Sequence, residues 1–265
     1  MSSEPSQELT FYKDHTLTPD TNLDDPYLTT ITHILSTSPN WLINSLIECN
    51  LTGTSSTVNK ELKQPYTKSV VVLSFLHTKE FYVKNCKKSG LDLARNDRFI
   101  FLDCFTDLFS ERKIKNPLDA LQDVQKLLDI DVVPHNDTVV FVEAPEVLLY
   151  STNLQANDLL FQIMKLNKKV SHLYLISSKD SPQLVDYEVN DIANPTYKIT
   201  DFLTKLLFRA NLNLTLEPLA TGRAEDLTGT LVVSKGARPH ASTVVSEREY
   251  VYHITKEATV KVYYR

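Results

Sequence analysis

The stretch YLTTITHIL–STSPN–WLINSLIECNL, residues 27–51, decides how the chain is read. Tyr27 to Leu35 is strand-like, rich in β-branched and large apolar residues. Trp41 to Leu51 carries Trp41, Leu42, Leu46 and Glu48 at helical spacing, so its apolar face is expected to pack on a sheet. Between them lies Ser36-Thr37-Ser38-Pro39-Asn40, where Ser38 supplies a capping oxygen and Pro39 a first helical position. A strand, a short turn and a helix in this order form the first unit of a mononucleotide-binding α/β domain. A phosphate loop at that turn needs glycines, so that backbone N–H groups can close around phosphates, and a lysine for the outer phosphates. Ser36 to Asn40 contains neither.

Outward from this unit, four short and nearly continuous apolar runs follow: Val70 to Leu76, Phe99 to Leu102, Val139 to Val142 and Leu173 to Ile176. Such runs suit strands covered on both faces. Helical stretches lie between them, at Lys79 to Ser89, Pro117 to Leu128 and Asn157 to Asn167, and a last one spans Asp201 to Asn211. Alternating strand and helix predicts a parallel sheet with crossover helices. The pattern then changes to period two at Leu212, Leu214 and Leu216, at Tyr250, Tyr252 and Ile254, and at Val260, Val262 and Tyr264, with a further strand at Leu227 to Val233. These read as an antiparallel meander with one wet face. The expected fold is α/β, a RecA-like core with a mostly parallel sheet closed by C-terminal antiparallel strands and without a phosphate loop. Residues 1–26 are polar and read as an irregular or partly disordered arm, and 27–265 as a single RecA-like domain. Thr52 to Ser69 reads as a surface loop, and 178–200 as an acidic, proline-containing connection with Asp180, Asp186, Glu188 and Asp191.

The bulk properties narrow the function classes. A chain of 265 residues buries roughly 70–75% of its extended surface and needs no disulfide or metal staple. No apolar run approaches the ~18 residues of a membrane span, and Met1 to Gln7 has no apolar core of a secretory signal. Cys49, Cys86 and Cys104 are odd in number, far apart and set in apolar segments, which predicts buried free thiols and a reducing compartment, the cytoplasm or nucleus. The formal net charge of −5 is not that of a chain that grips nucleic acid alone, so such contact requires a local patch or neighbouring subunits. Glycine is scarce, with 5 residues against about 18 at average usage. None of them stands at a strand-to-helix phosphate turn, and Gly222, Gly229 and Gly236 fall in one C-terminal hairpin.

Candidate chemistry is sparse. Glu143 ends the run Thr138 to Val142, where RecA-type NTPases place a carboxylate that helps hold Mg²⁺. The alternative is a strand-end carboxylate exposed at the carboxyl edge of the sheet. Pro145 stands between Glu143 and Glu146 and implies a turn rather than a rigid acid/base pair. The seven histidines (His15, His33, His77, His135, His172, His240, His253) are scattered, with no H-E-x-x-H, C-x-x-C, G-x-S-x-G or G-x-G-x-x-G motif, so no metal, nucleophile or cofactor is expected. Basic residues gather as Lys84, Lys87, Lys88, Arg95 and Arg98, as Arg112, Lys113 and Lys115, and as Lys165, Lys168 and Lys169. Each set is either a solvated face or part of a phosphate-contacting rim. Tyr250, Tyr252, Tyr263 and Tyr264 serve packing or, alternatively, base stacking. Arg223 and Arg265 are placed to act across a subunit boundary, as finger arginines do, or are simply charged loop residues.

Several segments carry a resemblance. They are SPNWLINSLIE (38–48), VVVLSFLH (70–77), FLDCFTDLF (101–109), TVVFVEAPEVLL (138–149), LNLTLEPLATGRAEDLTGTLVVSKG (212–236) and VKVYYR (260–265). The most specific are the T-G-x-x-x-D-x-T-G block, Thr221 to Gly229, and the closing Tyr-Arg. In these the chain resembles the sixth-subunit family of the eukaryotic Elongator complex, in its fungal form. The resemblance covers most of the chain from about residue 28 and leaves the arm and two loops unmatched. It implies a RecA-like subunit that forms a heterohexameric ring with the fourth and fifth Elongator subunits, two copies of each. The ring docks on the larger catalytic lobe and binds tRNA, and the complex modifies the wobble uridine of anticodons through chemistry belonging to the third subunit. It further implies a non-catalytic role, no cofactor, no membrane, and a family in which the phosphate loop is typically lacking. ATP turnover in that ring is linked to tRNA release, so the competing expectation is an ATPase subunit with an irregular nucleotide site at a subunit interface. On this reading the candidate tRNA contacts are Lys84, Lys87, Lys88, Arg95, Arg98, Lys165, Lys168 and Lys169, and the candidate interface residues are Glu143, Arg223, Tyr263, Tyr264 and Arg265.

Overall fold

In the computed structural model, residues 8–22, 24–106, 108, 113–129, 137–180, 194–220, 222, 226–255 and 259–264 are described. Their strands form one sheet; the run Phe99 to Leu102, expected to be covered on both faces, lies at its edge with a partner on one side, and Ile100 is 48% exposed there. The strands are β1 (Tyr27–His33), β2 (Ser69–Ser74), β3 (Phe99–Asp103), β4 (Thr138–Glu143), β5 (His172–Ser178), β6 (Leu212–Glu217), β7 (Gly229–Lys235), β8 (Arg248–Ile254) and β9 (Val260–Tyr264). They lie in the order β3-β2-β4-β5-β1-β6-β7-β8-β9. Strands β1 to β6 run parallel, and β7, β8 and β9 close the sheet antiparallel. This is the mixed architecture expected from the change of period at residue 212.

The helices are α1 (Asn40–Thr52), α2 (Lys79–Lys88), α3 (Leu121–Leu128), α4 (Val147–Ser151), α5 (Ala156–Asn167) and α6 (Pro195–Leu207). Alternate residues of one strand face opposite layers: Val70 and Val72 join the core under α1 and α2, while Val71 and Leu73 join the core under α3 to α6. The first core continues beneath the meander through Leu214, Leu231, Tyr250, Tyr252 and Val262. On the opposite side of β6, Asn213 and Thr215 are only half-buried, which is the wet face that the alternation implies.

Several local expectations shift for identifiable reasons. Strand β1 ends at His33 rather than Leu35, because Ile34 to Thr37 closes a turn. Pro39 is the N-cap residue of α1 rather than its first turn, and Ser38 accepts only a long contact, 3.4 Å, from the Asn40 N–H. Helix α6 starts at Pro195, six residues before the expected Asp201, because Asn194 caps it by accepting from the Thr196 N–H at 2.9 Å. The expected helix over 117–128 is a 3-10 turn at Pro117–Asp119 followed by α3, and the five-residue α4 was not foreseen.

Two segments read as loop or arm are packed. Leu9, Phe11, Tyr12 and Leu17 are buried in the α1-side core. In the 52–69 segment, Gln64 donates to the Thr18 carbonyl at 2.9 Å and Lys68 Nζ to the Thr21 carbonyl at 2.7 Å. Between them these segments wrap α1, which is why that helix is buried nearly all round. Gly53 ends α1 at φ 75°, and a Cβ there would sit 2.5 Å from the Gln64 carbonyl oxygen, so a side chain is excluded.

Candidate functional site

In a parallel sheet, ligands are met beyond the carboxyl ends of the strands. The first crossover at that edge is a closed turn. Thr37 Oγ1 donates within reach of the carbonyls of Ile34 (3.1 Å) and Leu216 (3.2 Å), and its backbone N–H donates to the Ile34 carbonyl at 2.9 Å. Leu35 stands at the tip, 91% exposed.

At the end of β4, Glu143 is 2% exposed, so the reading of an exposed strand-end carboxylate is corrected. Burial is tolerated because the carboxylate is answered on both oxygens. Ser74 Oγ, at the end of β2, donates to Oε2, and His77 Nδ1 lies 2.9 Å from Oε1. Ser74 Oγ also accepts the backbone N–H groups of His77 (2.7 Å) and Leu76 (3.2 Å), and the His77 ring stacks on Phe81 at 3.8 Å. Glu143 therefore pins the β2–α2 turn. Serine and histidine touch opposite oxygens of one carboxylate, and no imidazole among the described residues bonds Ser74 Oγ, so the trio is not arranged as a Ser-His-acid triad. The contacts span 66 and 69 residues, and neither Ser74 nor His77 carries a local signal that could have paired it with Glu143.

The chain turns sharply after β4. Ala144 adopts φ 55°, a left-handed conformation unusual for a residue with a side chain. Past Pro145, Glu146 is also buried. Its Oε1 accepts the Ser178 N–H at 2.8 Å, while Oε2 has no hydrogen-bond partner among the described residues. Burial pushes this carboxyl up to about 7. Around these buried acids the loops following the parallel strands present apolar side chains outward: Leu35 after β1, Leu76 after β2, Phe105 after β3 and Tyr150 in α4.

Two of the three basic sets lie at the opposite edge, whereas Lys113, of the third, donates to the Asp103 carbonyl at the carboxyl end of β3. Lys87 and Lys88 end α2, Arg98 precedes β3, and Lys168 and Lys169 precede β5, all at the amino ends of strands. Lys84 lies on the same helix as Lys87, and Arg95 on the turn before β3. The two sets do not merge on a face, since α2 packs on one side of the sheet and α5 on the other. Lys165 and Lys169 share Asp129, whose carboxyl the Lys169 hydrogen bond holds below its ordinary value. Arg95 faces Asp92 at 3.7 Å, and Arg98 reaches Thr67 Oγ1 at 2.6 Å and the Leu51 carbonyl. Lys84, Lys87, Lys88 and Lys168 are exposed.

Among the tyrosines, Tyr250 and Tyr252 are core residues, and the Tyr250 hydroxyl donates to the Thr10 carbonyl at 2.7 Å. Tyr263 and Tyr264 lie on the edge strand β9. The Tyr264 ring is flanked by Tyr250 at 5.3 Å and by the Arg248 guanidinium at 5.0 Å. Arg112, Arg223, Arg265, His135, Asp186, Glu188 and Asp191 lie outside the described residues. Among the described residues no group of three or more His, Cys, Asp or Glu could hold a metal ion, and no helix is long and apolar enough to cross a membrane. The three thiols are buried and pushed up to about 12 by that burial.

No family profile matches the chain. Over its full length it is similar to Elongator complex protein 6 of Saccharomyces cerevisiae, at 29% identity with 100% of both chains covered. Among solved structures it is similar to the flagellar accessory protein FlaH of Methanocaldococcus jannaschii, a RecA-like protein, with a TM-score of 0.60 at 12% identity over 92% of this chain and 91% of that one. The second likeness shows the fold alone.

Proposed function

We propose, from its full-length similarity to Elongator complex protein 6, that the chain belongs to that family and is a non-catalytic subunit of the Elongator accessory ring. In this reading it assembles with the fourth and fifth subunits, two copies of each, and helps the ring present tRNA to the catalytic lobe for wobble-uridine modification, in the cytoplasm or nucleus. The observation that carries the reading is the full-length match. The polarity of the molecule supports it: a carboxyl edge with exposed Leu35, Leu76 and Phe105 suits a neighbouring subunit, and an amino edge with exposed Lys84, Lys87, Lys88 and Lys168 suits a phosphate backbone. Arg223, Tyr263, Tyr264 and Arg265 remain proposed interface residues.

Mixing the purified chain with its two partner subunits and measuring mass by light scattering tests the assembly. A heterohexamer is expected, and a chain that stays monomeric beside both partners refutes it. Leu35→Asp is expected to weaken assembly at least about tenfold while leaving the chain's own stability within ~0.5 kcal/mol, since the side chain touches solvent in the free subunit.

The competing reading, an ATPase site at a subunit interface, rests on Glu143. Its two oxygens are already engaged by Ser74 and His77. Glu143→Gln in the assembled ring is therefore expected to leave ATP turnover unchanged, and a collapse of turnover with the ring intact would favour the ATPase reading.

A further inference from the structure

Two lysines of this chain are buried to the same degree and treated differently. Lys68 is 3% exposed, and its ammonium donates to the carbonyl and hydroxyl oxygens of Thr21 at 2.7 and 3.1 Å. Lys198 is 6% exposed, and among the described residues its ammonium has neither an acceptor nor a carboxylate in reach. The Lys198 side chain is buried along its stem, but its ammonium is not among the sealed polar atoms that lack a partner, so it opens to solvent and can be answered from outside the chain.

The Lys198 side chain lines a pocket of about 260 Å³ between α6 and the first turn of α5. Gln155, Ala156 and Asn157 form the opposite wall. The first N–H groups of a helix have no intrahelical acceptor, and those of Ala156 and Asn157 find none elsewhere among the described residues. The neighbouring charges are already matched. Lys205 Nζ donates to Asp201 Oδ2 at 2.6 Å and to Asn157 Oδ1 at 2.8 Å, and Asp158 turns back to accept the Gln155 N–H at 3.2 Å. What remains uncompensated is the Lys198 charge facing the positive end of a 12-residue helix.

We propose that this pocket binds a small oxyanion, with Lys198 as its ion-pair partner and the first amides of α5 as its hydrogen-bond donors. The volume lies below the roughly 300–1,000 Å³ of sites for larger organic ligands, so the ligand is a single phosphoryl or carboxylate group, free or carried on a side chain.

The test uses the full chain. Inorganic phosphate and acetate are titrated separately at constant ionic strength while backbone amide resonances are followed. The Ala156 and Asn157 amides are expected to shift saturably, and Lys198→Gln to weaken binding about tenfold. The preferred anion is expected to raise the melting temperature of the parent chain and not that of Lys198→Gln. The ratio of the two affinities distinguishes a phosphoryl from a carboxylate ligand. Absence of a saturable shift at those amides, or equal affinity in Lys198→Gln, overturns the proposal. Should Lys198→Gln fail to fold, Lys198→Met, which keeps the apolar stem and removes the charge, takes its place, and equal affinity in that variant overturns the proposal.

Discussion

The two ends of the parallel sheet solve opposite problems. At the carboxyl end the chain buries acids, Glu143 and Glu146, and turns apolar side chains outward. At the amino end it buries a base, His172, and turns lysines outward. Glu143 is answered on both oxygens, whereas Glu146 is answered on one. His172 bonds Thr29 Oγ1 through Nε2 at 2.8 Å and stacks on Tyr174 at 3.9 Å, and its Nδ1 has no partner among the described residues. A strand end thus tolerates a buried ionisable group in two ways: hydrogen bonds on every polar atom, as at Glu143, or partial hydrogen bonding with burial that favours the neutral form, as at Glu146 and His172.

The largest effect should come from breaking the fully answered site. Glu143→Ala leaves Ser74 Oγ and His77 Nδ1 without their acceptor and frees the β2–α2 turn. A loss of about 2–4 kcal/mol is expected in urea unfolding at pH 7. A loss under ~0.5 kcal/mol would mean that the turn is held by something else.

Next comes the half-answered acid. Because burial raises the Glu146 carboxyl to about 7, its contribution to stability is present below the ordinary value near 4.5 and is lost as pH rises through about 7. Glu146→Gln should therefore be more stable than the parent at pH 8, by about 2–3 kcal/mol, with the gap closing by pH 5. A pH-independent difference would contradict this.

The amino end should show the opposite slope. Burial, and then the charge of Lys68, hold His172 well below its ordinary value. Stability is then complete above about pH 6.5 and falls as the medium becomes more acidic, by at most about 1.4 kcal/mol per pH unit from this group. His172→Gln should flatten that acid limb, and an unchanged limb would place its origin elsewhere.

The smallest effect on the fold is expected at the exposed lysines. Lys87→Glu with Lys88→Glu should leave chain stability within ~0.5 kcal/mol while weakening tRNA binding by the assembled ring and lowering its salt slope by about one for each phosphate no longer neutralised. Unchanged binding would make them solvated surface.

Much of the sheet was legible because Val70 to Leu73 and Val139 to Val142 are buried on both faces and so read as unbroken apolar runs. The meander was legible because one of its faces is wet, which leaves the alternation intact. What escaped notice lacks a local period. Leu9, Phe11 and Leu17 are isolated apolar residues in a polar stretch, and they are buried by partners distant in sequence. Helix α4 is too short to show a repeat. At the candidate site, Glu143 was visible as a strand-end carboxylate, but its burial depends on Ser74 and His77, which reach it only once β2 and β4 pair. The Lys198 pocket was invisible for the same reason, since α5 and α6 meet across a long connection.

The N-terminal segment closes on the last strands. Tyr12 bridges Val245, Lys13 donates to the Val244 carbonyl, and Thr10 receives the Tyr250 hydroxyl across 240 residues. Residues made early by the ribosome therefore wait for nearly the whole chain before they can be covered. A nascent polypeptide halted before Val244 would lack the partners of Thr10 to Lys13 and the late part of the core that Leu9, Phe11 and Leu17 share, and this makes late synthesis the interval in which a chaperone has most to bind.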